Sequence, residues 1–320
     1  MKKLLVSMLL GCATISGAAV AGSYPEKPIK IIVPFGAGNL ADTYARLLSE
    51  RLAKTLQQPV IVENRPGATT IIGAQIVAKA PADGYTLFFT ASTTVIAAAT
   101  RKKLPFDPIK DFSPIGMVVK YPYYLIATRS LPVESVQDLI QYGKAHPGRL
   151  NYGTLGEGSG GQLLGETLKQ SAGFQATHVP YKTTGEMLTA LQTGELHFAF
   201  DSIASAQPLV AAEKLRGFAI TSGARFPAVP DVPTMAESGV KNYEFWLWLG
   251  LLAPANTPAP VIEKLNAAVN DALRSPEIAG RVDREGMQLA AGAPDAFAKQ
   301  MRDDLETWRQ AAQRAGVALD

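Results

Sequence analysis

Two glycine-rich loops hold the residues whose types and spacing suggest chemistry. In residues 151–166, NYGTLGEGSGGQLLGE, a short apolar strand at Leu150–Gly153 leads into a loop with glycines at positions 156, 158, 160 and 161, and a helix is predicted from about Gln162. Such a loop directs free backbone N–H groups and the positive end of the helix dipole toward one point, which favours an anion. The Pro34–Asp42 segment, PFGAGNLAD, repeats this design. The two loops predict a cleft that holds a carboxylate or phosphate from both sides.

Other sequence patterns give little support for catalysis. Gly156–Gly161 fits the dinucleotide pattern G-x-G-x-x-G, but the next predicted strand, near Thr177–Val179, ends without an acidic residue that could hold a ribose. The chain has no P-loop and no G-x-S-x-G nucleophile motif. Its three histidines lack metal-ligand spacing, so we expect His146 to cap a helix end and His178 and His197 to be structural. We expect no catalytic residue, metal or cofactor.

Several side chains have two interpretations on sequence alone. Asp42 lies in the first turn of its helix, so it either caps the helix and orders the loop or accepts a hydrogen bond from a ligand. Asp201 is either a ligand acceptor or a former of a turn at a strand end. Arg65 either clamps a distal carboxylate or forms a structural ion pair. Core packing is the first interpretation, and a cleft wall the second, for the aromatic residues Tyr243, Phe245, Trp246 and Trp248.

Alternating strand-like and helix-like segments position these residues, and this alternation predicts an α/β fold with parallel sheets. Strands are predicted at Ile29–Val33, Val60–Glu63, Thr86–Thr90, Leu150–Gly153 and Leu196–Phe200. Helices are predicted at Ala41–Leu56, at Ser135–Ala145 and Thr183–Thr193, which open with capping-box-like patterns, and after Thr257 and Pro294. Ligands bind beyond the carboxyl ends of the strands in open parallel sheets, so both loops and Asp201-Ser202 are expected to share one cleft.

Residues 1–21 are predicted to be a secretory signal peptide. Lys2 and Lys3 precede an apolar segment, and cleavage is expected after Ala21, although a lipoprotein cleavage box ending at Cys12 is the alternative. Cys12 is the only cysteine, so cleavage after Ala21 leaves no disulfide or thiol. Removing Lys2 and Lys3 lowers the formal net charge from +3 to +1, which argues against a nucleic-acid partner. We expect a periplasmic monomer without a membrane helix.

A series of motifs across essentially the whole mature chain resembles the Bug-type periplasmic substrate-binding proteins of tripartite tricarboxylate transporters. The motifs are Tyr24-Pro25-x-Lys27-Pro28-Ile29, Val33-Pro34-Phe35 with Gly38 and Asp42, Val62-Glu63-Asn64-Arg65-Pro66-Gly67-Ala68, Pro81-x-Asp83-Gly84-Tyr85-Thr86-Leu87, Leu104-Pro105-Phe106-Asp107-Pro108, Asp111-Phe112-Ser113-Pro114, Leu150-Asn151-Tyr152-Gly153, His178-Val179-Pro180-Tyr181-Lys182, Phe200-Asp201-Ser202 and Pro230-Asp231-Val232-Pro233-Thr234.

This resemblance implies a two-lobed type II periplasmic-binding-protein (Venus-flytrap) fold, with parallel-dominated sheets flanked by helices. Lobe 1 is expected to comprise residues 22–122 plus 225–320, and lobe 2 residues 123–224. In such proteins the loops matching Pro34–Asp42 and Thr154–Gln162 pinch one carboxylate. The loops and the resemblance together predict these ligand-binding residues: Phe35, Gly36, Ala37, Gly38, Asn39, Asp42, Thr69, Ser92, Thr154, Gly156, Gly158, Ser159, Gly160, Gln162, Tyr181, Asp201 and Ser202.

The sequence departs from the family pattern near the expected ligand. Gly38-Asn39-Leu40-Ala41 stands where Gly-Gly-Ser-Thr is usual, Thr69-Thr70-Ile71 where Gly-Gly-Asn is usual, and Gln162 where a histidine is expected. Leu40, Ile71 and Ile72 make the expected pocket more apolar than a citrate or aspartate site. We therefore predict a ligand that carries a carboxylate on a hydrophobic or aromatic body.

The function that the resemblance implies is that of an extracytoplasmic receptor, not an enzyme. It would capture a small organic carboxylate by hinge closure and deliver it to integral-membrane transporter subunits. One alternative is a sensor partner that presents ligand to a membrane histidine kinase, which would use the same two-lobed closure. Another is a secreted enzyme acting on carboxylated substrates, for which the sequence has no nucleophile–base pair or metal site.

Overall fold

The computed structural model describes residues 24–67 and 70–317, and the predicted signal peptide lies outside them. The strands are β1 Ile29–Val33, β2 Val60–Asn64, β3 Thr86–Ala91, β4 Phe112–Thr128, β5 Leu150–Thr154, β6 Ala176–Pro180, β7 Phe198–Ser202, β8 Leu215–Ile220, β9 Trp246–Pro254 and β10 Gln288–Leu289. The helices are α1 Leu40–Leu56, α2 Ile71–Ala78, α3 Thr93–Thr100, α4 Val136–Ala145, α5 Gly160–Ala172, α6 Thr184–Thr193, α7 Ile203–Ala211, α8 Ala259–Leu273, α9 Pro276–Arg284 and α10 Pro294–Ala315. None of these described helices has the length and apolar character needed to cross a membrane.

One mixed sheet connects the strands, and β4 links two groups of parallel strands within it. The strand order is β2-β1-β3-β9-β4-β7-β5-β6, and β8 and β10 also pair with β4. In one group β1 is parallel to β2 and β3, and in the other β5 is parallel to β6 and β7. β4 pairs with β9 over Phe112–Pro122 and with β7 from Tyr123 onward. The helices flank this sheet, and the predicted α/β class is confirmed.

The expectation of a parallel-dominated sheet needs correction, because every pairing of β4 and β9 is antiparallel. β4 has 17 residues and contains Pro114, Gly116 and Pro122, residues that usually interrupt strands. Register shifts between Pro114 and Gly116 and between Met117 and Val119 accommodate the irregular backbone. Because the prolines and the glycine interrupt its apolar pattern, the sequence does not predict β4.

Most predicted elements are present. β1 has the predicted bounds, whereas β7 begins two residues later than the Leu196 predicted as its start. The capping box at Thr183 is complete, since Thr183 accepts from the N–H of Glu186 and the Glu186 side chain accepts from that of Thr183. α10 ends at Ala315, before Gly316 in the left-handed conformation.

The C-terminal aromatic cluster belongs to the core. Tyr243, Phe245 and Trp248 are 4%, 5% and 1% exposed, which supports the core interpretation over a cleft wall. Trp248 Nε1 donates to Asp304 Oδ2 at 2.6 Å, and Gln300 Nε2 donates to Asp304 Oδ1 at 2.8 Å. Burial raises the pKa of Asp304 to about 6, although both hydrogen bonds act to lower it. α10 is therefore joined to β9 by a buried polar contact as well as by apolar packing.

Candidate functional site

Loop one (Pro34–Asn39) connects β1 to α1. Gly38 has φ +80°, a conformation that glycine adopts without a Cβ clash. The N–H of Asn39 donates to the Gly36 carbonyl at 3.3 Å, which closes a turn. Asn39 Oδ1 accepts from the N–H of Ala41 at 2.7 Å, so Asn39 caps α1. Loop one therefore ends at a helix N-terminus, as the sequence predicted.

Asp42 orders loop one from the first turn of α1. The side chain is 3% exposed, and its oxygens accept from the N–H of Gly38 at 2.8 Å and from Asn64 Nδ2 at 2.8 Å. Arg46 pairs with the same carboxylate, Nη2 lying 3.0 Å from Oδ1. Burial alone would raise the pKa of Asp42, but the hydrogen bonds from Arg46, Gly38 and Asn64 outweigh it and lower the pKa below its usual value. Of the two interpretations of Asp42, these contacts favour the loop-ordering one.

Loop two (Leu155–Ser159) connects β5 to α5, with Gly156 at φ +106° and Gly158 at φ +70°. The N–H of Ser159 donates to the Gly156 carbonyl at 3.4 Å, and Ser159 Oγ donates to the same carbonyl at 2.7 Å. Ser159 Oγ accepts from the N–H of Gln162 at 3.4 Å, so Ser159 caps α5. Gln162 Oε1 accepts from the N–H of Gly158 at 2.7 Å.

The two loops are therefore built alike. In each loop, the carbonyl of a glycine, Gly36 or Gly156, accepts a hydrogen bond from the residue that caps the helix. The side chain of the third helical residue, Asp42 or Gln162, accepts from the N–H of the glycine that precedes the cap. The described residues provide no hydrogen-bond acceptor for the N–H groups of Leu40 in the first turn of α1, or of Gly160 and Gly161 in that of α5. Such N–H groups at a helix N-terminus suit an anion.

Each loop is also braced by a side chain from the neighbouring parallel strand. Asn64, at the end of β2, donates from Nδ2 to the Phe35 carbonyl at 3.0 Å as well as to Asp42. His178 of β6 lies 2.6 Å from Thr154 Oγ1 through Nε2 and 3.4 Å from Gln162 Nε2 through Nδ1. Burial lowers the pKa of His178, which favours the neutral ring. The role expected for His178 as a structural histidine thus extends to holding loop two.

Two side chains from other elements pack against the start of α5. A Cβ atom at Gly160 would lie 3.3 Å from Ile96 Cδ1 and would collide with the hydroxyl of Tyr123. Ile96 belongs to α3, which follows β3, and Tyr123 lies where β4 begins to pair with β7. α3 is therefore brought next to the start of α5, and position 160 requires glycine.

Buried polar groups lie at the carboxyl ends of β3 and β7. Ser92 is 0% exposed, and its Oγ has no hydrogen-bond partner among the described residues. Asp201 is 8% exposed; Oδ1 accepts from the N–H of Ser202 at 2.7 Å, while the buried Oδ2 has no partner in the described part of the chain. Burial raises the pKa of Asp201 to about 7, although the Ser202 N–H acts to lower it. Ser202 Oγ caps α7 by accepting from the N–H of Ser205.

The remaining predicted site residues have varied positions. Thr69 lies outside the described residues. Ala37 is exposed in loop one, and the N–H of Tyr181 donates to the Thr154 carbonyl at 2.8 Å, behind loop two. Arg65 forms an ion pair with Glu63, which supports its structural interpretation. Across residues 24–67 and 70–317, no group of three or more His, Cys, Asp or Glu side chains is placed to hold a metal ion.

Three further side chains belong to the site although no sequence pattern assigned them to it: Arg46, Asn64 and Tyr123. The four-residue spacing of Asp42 and Arg46 on one helix was a usable signal, because such pairs face each other. Asn64 was visible only as part of a motif. No signal pointed to Tyr123, whose position depends on the unpredicted strand β4.

Two matched anion-binding loops at the strand ends of an α/β sheet suit a protein that binds a small anionic solute. Residues 44–317 match the family described as Tripartite tricarboxylate transporter family receptor, and the chain belongs to this family. It is 34% identical over 320 residues to the UPF0065 protein in the TAR-I ttuE-ttuC' intergenic region of Agrobacterium vitis, covering 99% of this chain and 92% of that protein. It is 31% identical over 317 residues to BugT of Bordetella pertussis, covering 98% and 97%.

Solved structures have the same fold. The periplasmic binding protein BugD has a TM-score of 0.79 and 32% identity, covering 92% of this chain and 99% of that one. R. palustris Rpa4515 with adipate has a TM-score of 0.81 and 33% identity, covering 92% and 99%. MatC from Rhodopseudomonas palustris with bound malate has a TM-score of 0.79 and 33% identity, covering 90% and 99%. These findings confirm the resemblance to Bug-type receptors and the fold class.

Proposed function

We propose that this protein is a periplasmic receptor that captures a small organic acid and delivers it to the membrane subunits of a tripartite tricarboxylate-type transporter. The observation that carries the proposal is the matched design of loops one and two, each ending at a helix N-terminus with N–H groups that no described residue binds. Two such loops would share one carboxylate between them. The family membership and the neighbours solved with adipate and malate support the same ligand class.

In this proposal the loops belong to different lobes. Residues 1–21 are a signal peptide, residues 22–122 with 225–320 form lobe 1, and residues 123–224 form lobe 2. The exchange of partners by β4, from β9 up to Pro122 to β7 from Tyr123, supports the first boundary. An open form binds the carboxylate through one loop, and closure about the linking strands adds the other.

The body of the ligand is proposed to be hydrophobic or aromatic. Leu40, which begins α1, is half-buried, and Ile72 at the start of α2 is 45% exposed. Ser92 and Asp201 add buried polar groups beyond the loops. In this proposal the receptor is a monomer. It catalyses no reaction, so the ligand should be released unchanged.

Calorimetric titration of residues 22–320 with mono-, di- and tricarboxylates, aromatic acids and acidic amino acids tests the proposal. We expect one class of acid to bind, to raise the melting temperature, and to be recovered unchanged after prolonged incubation. Mass spectrometry of the denatured protein checks that no ligand already occupies the site. A ligand-free protein that binds none of these acids would refute the receptor proposal, and turnover of a bound acid would refute the non-catalytic role.

A further inference from the structure

The environment of Asp201 is not explained by a site in which two loops hold one carboxylate. β7 runs parallel to β5 with Gly153 opposite Ala199, so Asp201 emerges beside loop two. Oδ1 is bonded to the N–H of Ser202, whereas Oδ2 is buried without a partner among the described residues. Leaving a buried polar atom unbonded costs about 1–3 kcal/mol. A group kept at that cost beside a binding loop is a candidate for a bond that forms only with ligand.

Among the described residues, no cation acts on Asp201 to hold it as a carboxylate. The ionisable groups of β4 that interact with it are Tyr121 and Tyr123. Burial raises the pKa of both hydroxyls, and Asp201, when it is ionised, raises both further. Tyr124 is its register partner, and α7 contributes no ionisable side chain. The other charged groups on neighbouring elements have both signs: Lys120 on β4 and Arg284 beside Gly286, which packs on Ile203, are cations, and Glu157, Asp283 and Glu285 are acidic. None of them contributes to the pKa of Asp201, which burial raises and the Ser202 N–H acts to lower.

The distribution of hydrogen bonds decides where a proton on Asp201 lies. Oδ1 is an acceptor for the Ser202 N–H, so the proton of the neutral acid is on Oδ2, the atom without a partner. Burial keeps that proton in place up to about pH 7, because the pKa is raised to about 7. Near neutral pH, Asp201 can therefore act as a hydrogen-bond donor through Oδ2.

We propose that Asp201 selects the far end of the ligand: its Oδ2–H donates to a second carboxylate, so the receptor prefers dicarboxylic acids over monocarboxylic acids of equal length. This inference rests on the proposed function. The near carboxylate is held by loops one and two, and the far one meets Asp201. The hydroxyl of Tyr123 lies against Gly160 and interacts electrostatically with Asp201, so in this proposal Tyr123 contacts the ligand between its ends.

Binding of this kind takes up or retains one proton. Only protonated Asp201 donates, so the affinity for a diacid stays level below about pH 7 and weakens above it. Dissociation constants should therefore be about tenfold larger at pH 8 than at pH 6. A monocarboxylic acid makes no bond to Oδ2, and its affinity should not follow this profile.

Calorimetric titration of residues 22–320 with α,ω-dicarboxylates and monocarboxylates of matched length, at pH 6 and pH 8, tests the inference. Buffers of different ionisation enthalpy report proton uptake. Wild-type protein should prefer diacids and lose about tenfold in diacid affinity at the higher pH. Asp201→Asn keeps a donor but cannot titrate, so its diacid affinity should be independent of pH. Asp201→Ala should bind diacids and monoacids equally.

The outcomes separate this inference from the proposed function. If monoacids bind as tightly as diacids, or if wild-type diacid affinity is the same at both pH values, the role of Asp201 is refuted while the receptor proposal stands. Diacid affinity that increases with pH would also refute it, since Asp201 would then be accepting a hydrogen bond. If no acid binds folded wild-type protein, the proposed function fails and the inference with it. Asp231→Asn, an exposed charge change, should behave as wild type.

Discussion

Asp304 should make the stability of the protein depend on pH. Asp304 is 8% exposed, and its carboxyl group accepts hydrogen bonds from Trp248 and Gln300. Burial raises its pKa from 3.8 to about 6. A carboxyl group with a raised folded-state pKa binds protons more tightly in the folded protein, so its stabilisation is present at low pH and is lost as pH rises. Each pKa unit corresponds to about 1.36 kcal/mol, which gives a total of about 3 kcal/mol.

Asp304→Asn isolates this effect. The amide oxygen can still accept from Trp248, and Gln300 can turn its own amide to accept from the new NH₂ group, so the packing is retained. Between about pH 4 and pH 7 the free energy of unfolding of wild type should fall by about 2.4 kcal/mol relative to the variant. Asp231→Asn, an exposed site, is the control for loss of one charge.

Urea unfolding followed by tryptophan fluorescence at several pH values measures this difference, since Trp248 lies at the site of change. We expect the variant to be as stable as wild type near pH 4 and more stable near pH 7. Wild-type and variant curves that stay parallel across this range would refute the reasoning, because Asp304 would then titrate alike in folded and unfolded chains.

Three further substitutions test the loops. Asp42→Ala removes the acceptor for Gly38 and Asn64 and should lower the free energy of unfolding by about 2–3 kcal/mol in urea titrations; an unchanged midpoint would show that Asp42 does not order loop one. Gly160→Val places side-chain atoms against the Tyr123 hydroxyl and should abolish acid binding in calorimetry, whereas Gly185→Ala, with open space around it, should bind normally. Ser159→Ala removes the cap of α5 and should lower the free energy of unfolding by about 1 kcal/mol in thermal unfolding. A loss as large as that of Asp42→Ala would contradict this prediction.

The sequence was most informative where local chemistry determines structure. The glycines and capping residues of both loops specify turns that lead into helices. The loops form as expected because, apart from the braces, each is closed by contacts between residues three or four apart in the chain. The sequence predicts that the two loops are alike. That Asp42 and Gln162 have equivalent roles follows only from their hydrogen bonds.

Long-range pairing could not be predicted in the same way. β4 and β9 contact each other across more than a hundred residues of chain, and neither the prolines of β4 nor the aromatic run of β9 indicates the partner. The position of Tyr123 relative to loop two likewise depends on the pairing of β4 with β7, and that of Asp201 on the pairing of β7 with β5. The role of Asp42 also needed coordinates, because a carboxylate in the first turn of a helix fits both capping and ligand binding until its partners are known.

The place of β9 in the sheet has a consequence for the order of folding. β9 lies between β3 and β4, yet it is formed by Trp246–Pro254, after the whole β5–β8 segment. Strands β1 to β3 therefore keep an unpaired edge until the last third of the chain is available, whereas β4 to β8 can assemble from one continuous stretch. Such distant pairing slows folding. Pulse-labelled hydrogen exchange during refolding should find β5 and β7 amides protected before those of β3; simultaneous protection would contradict this order.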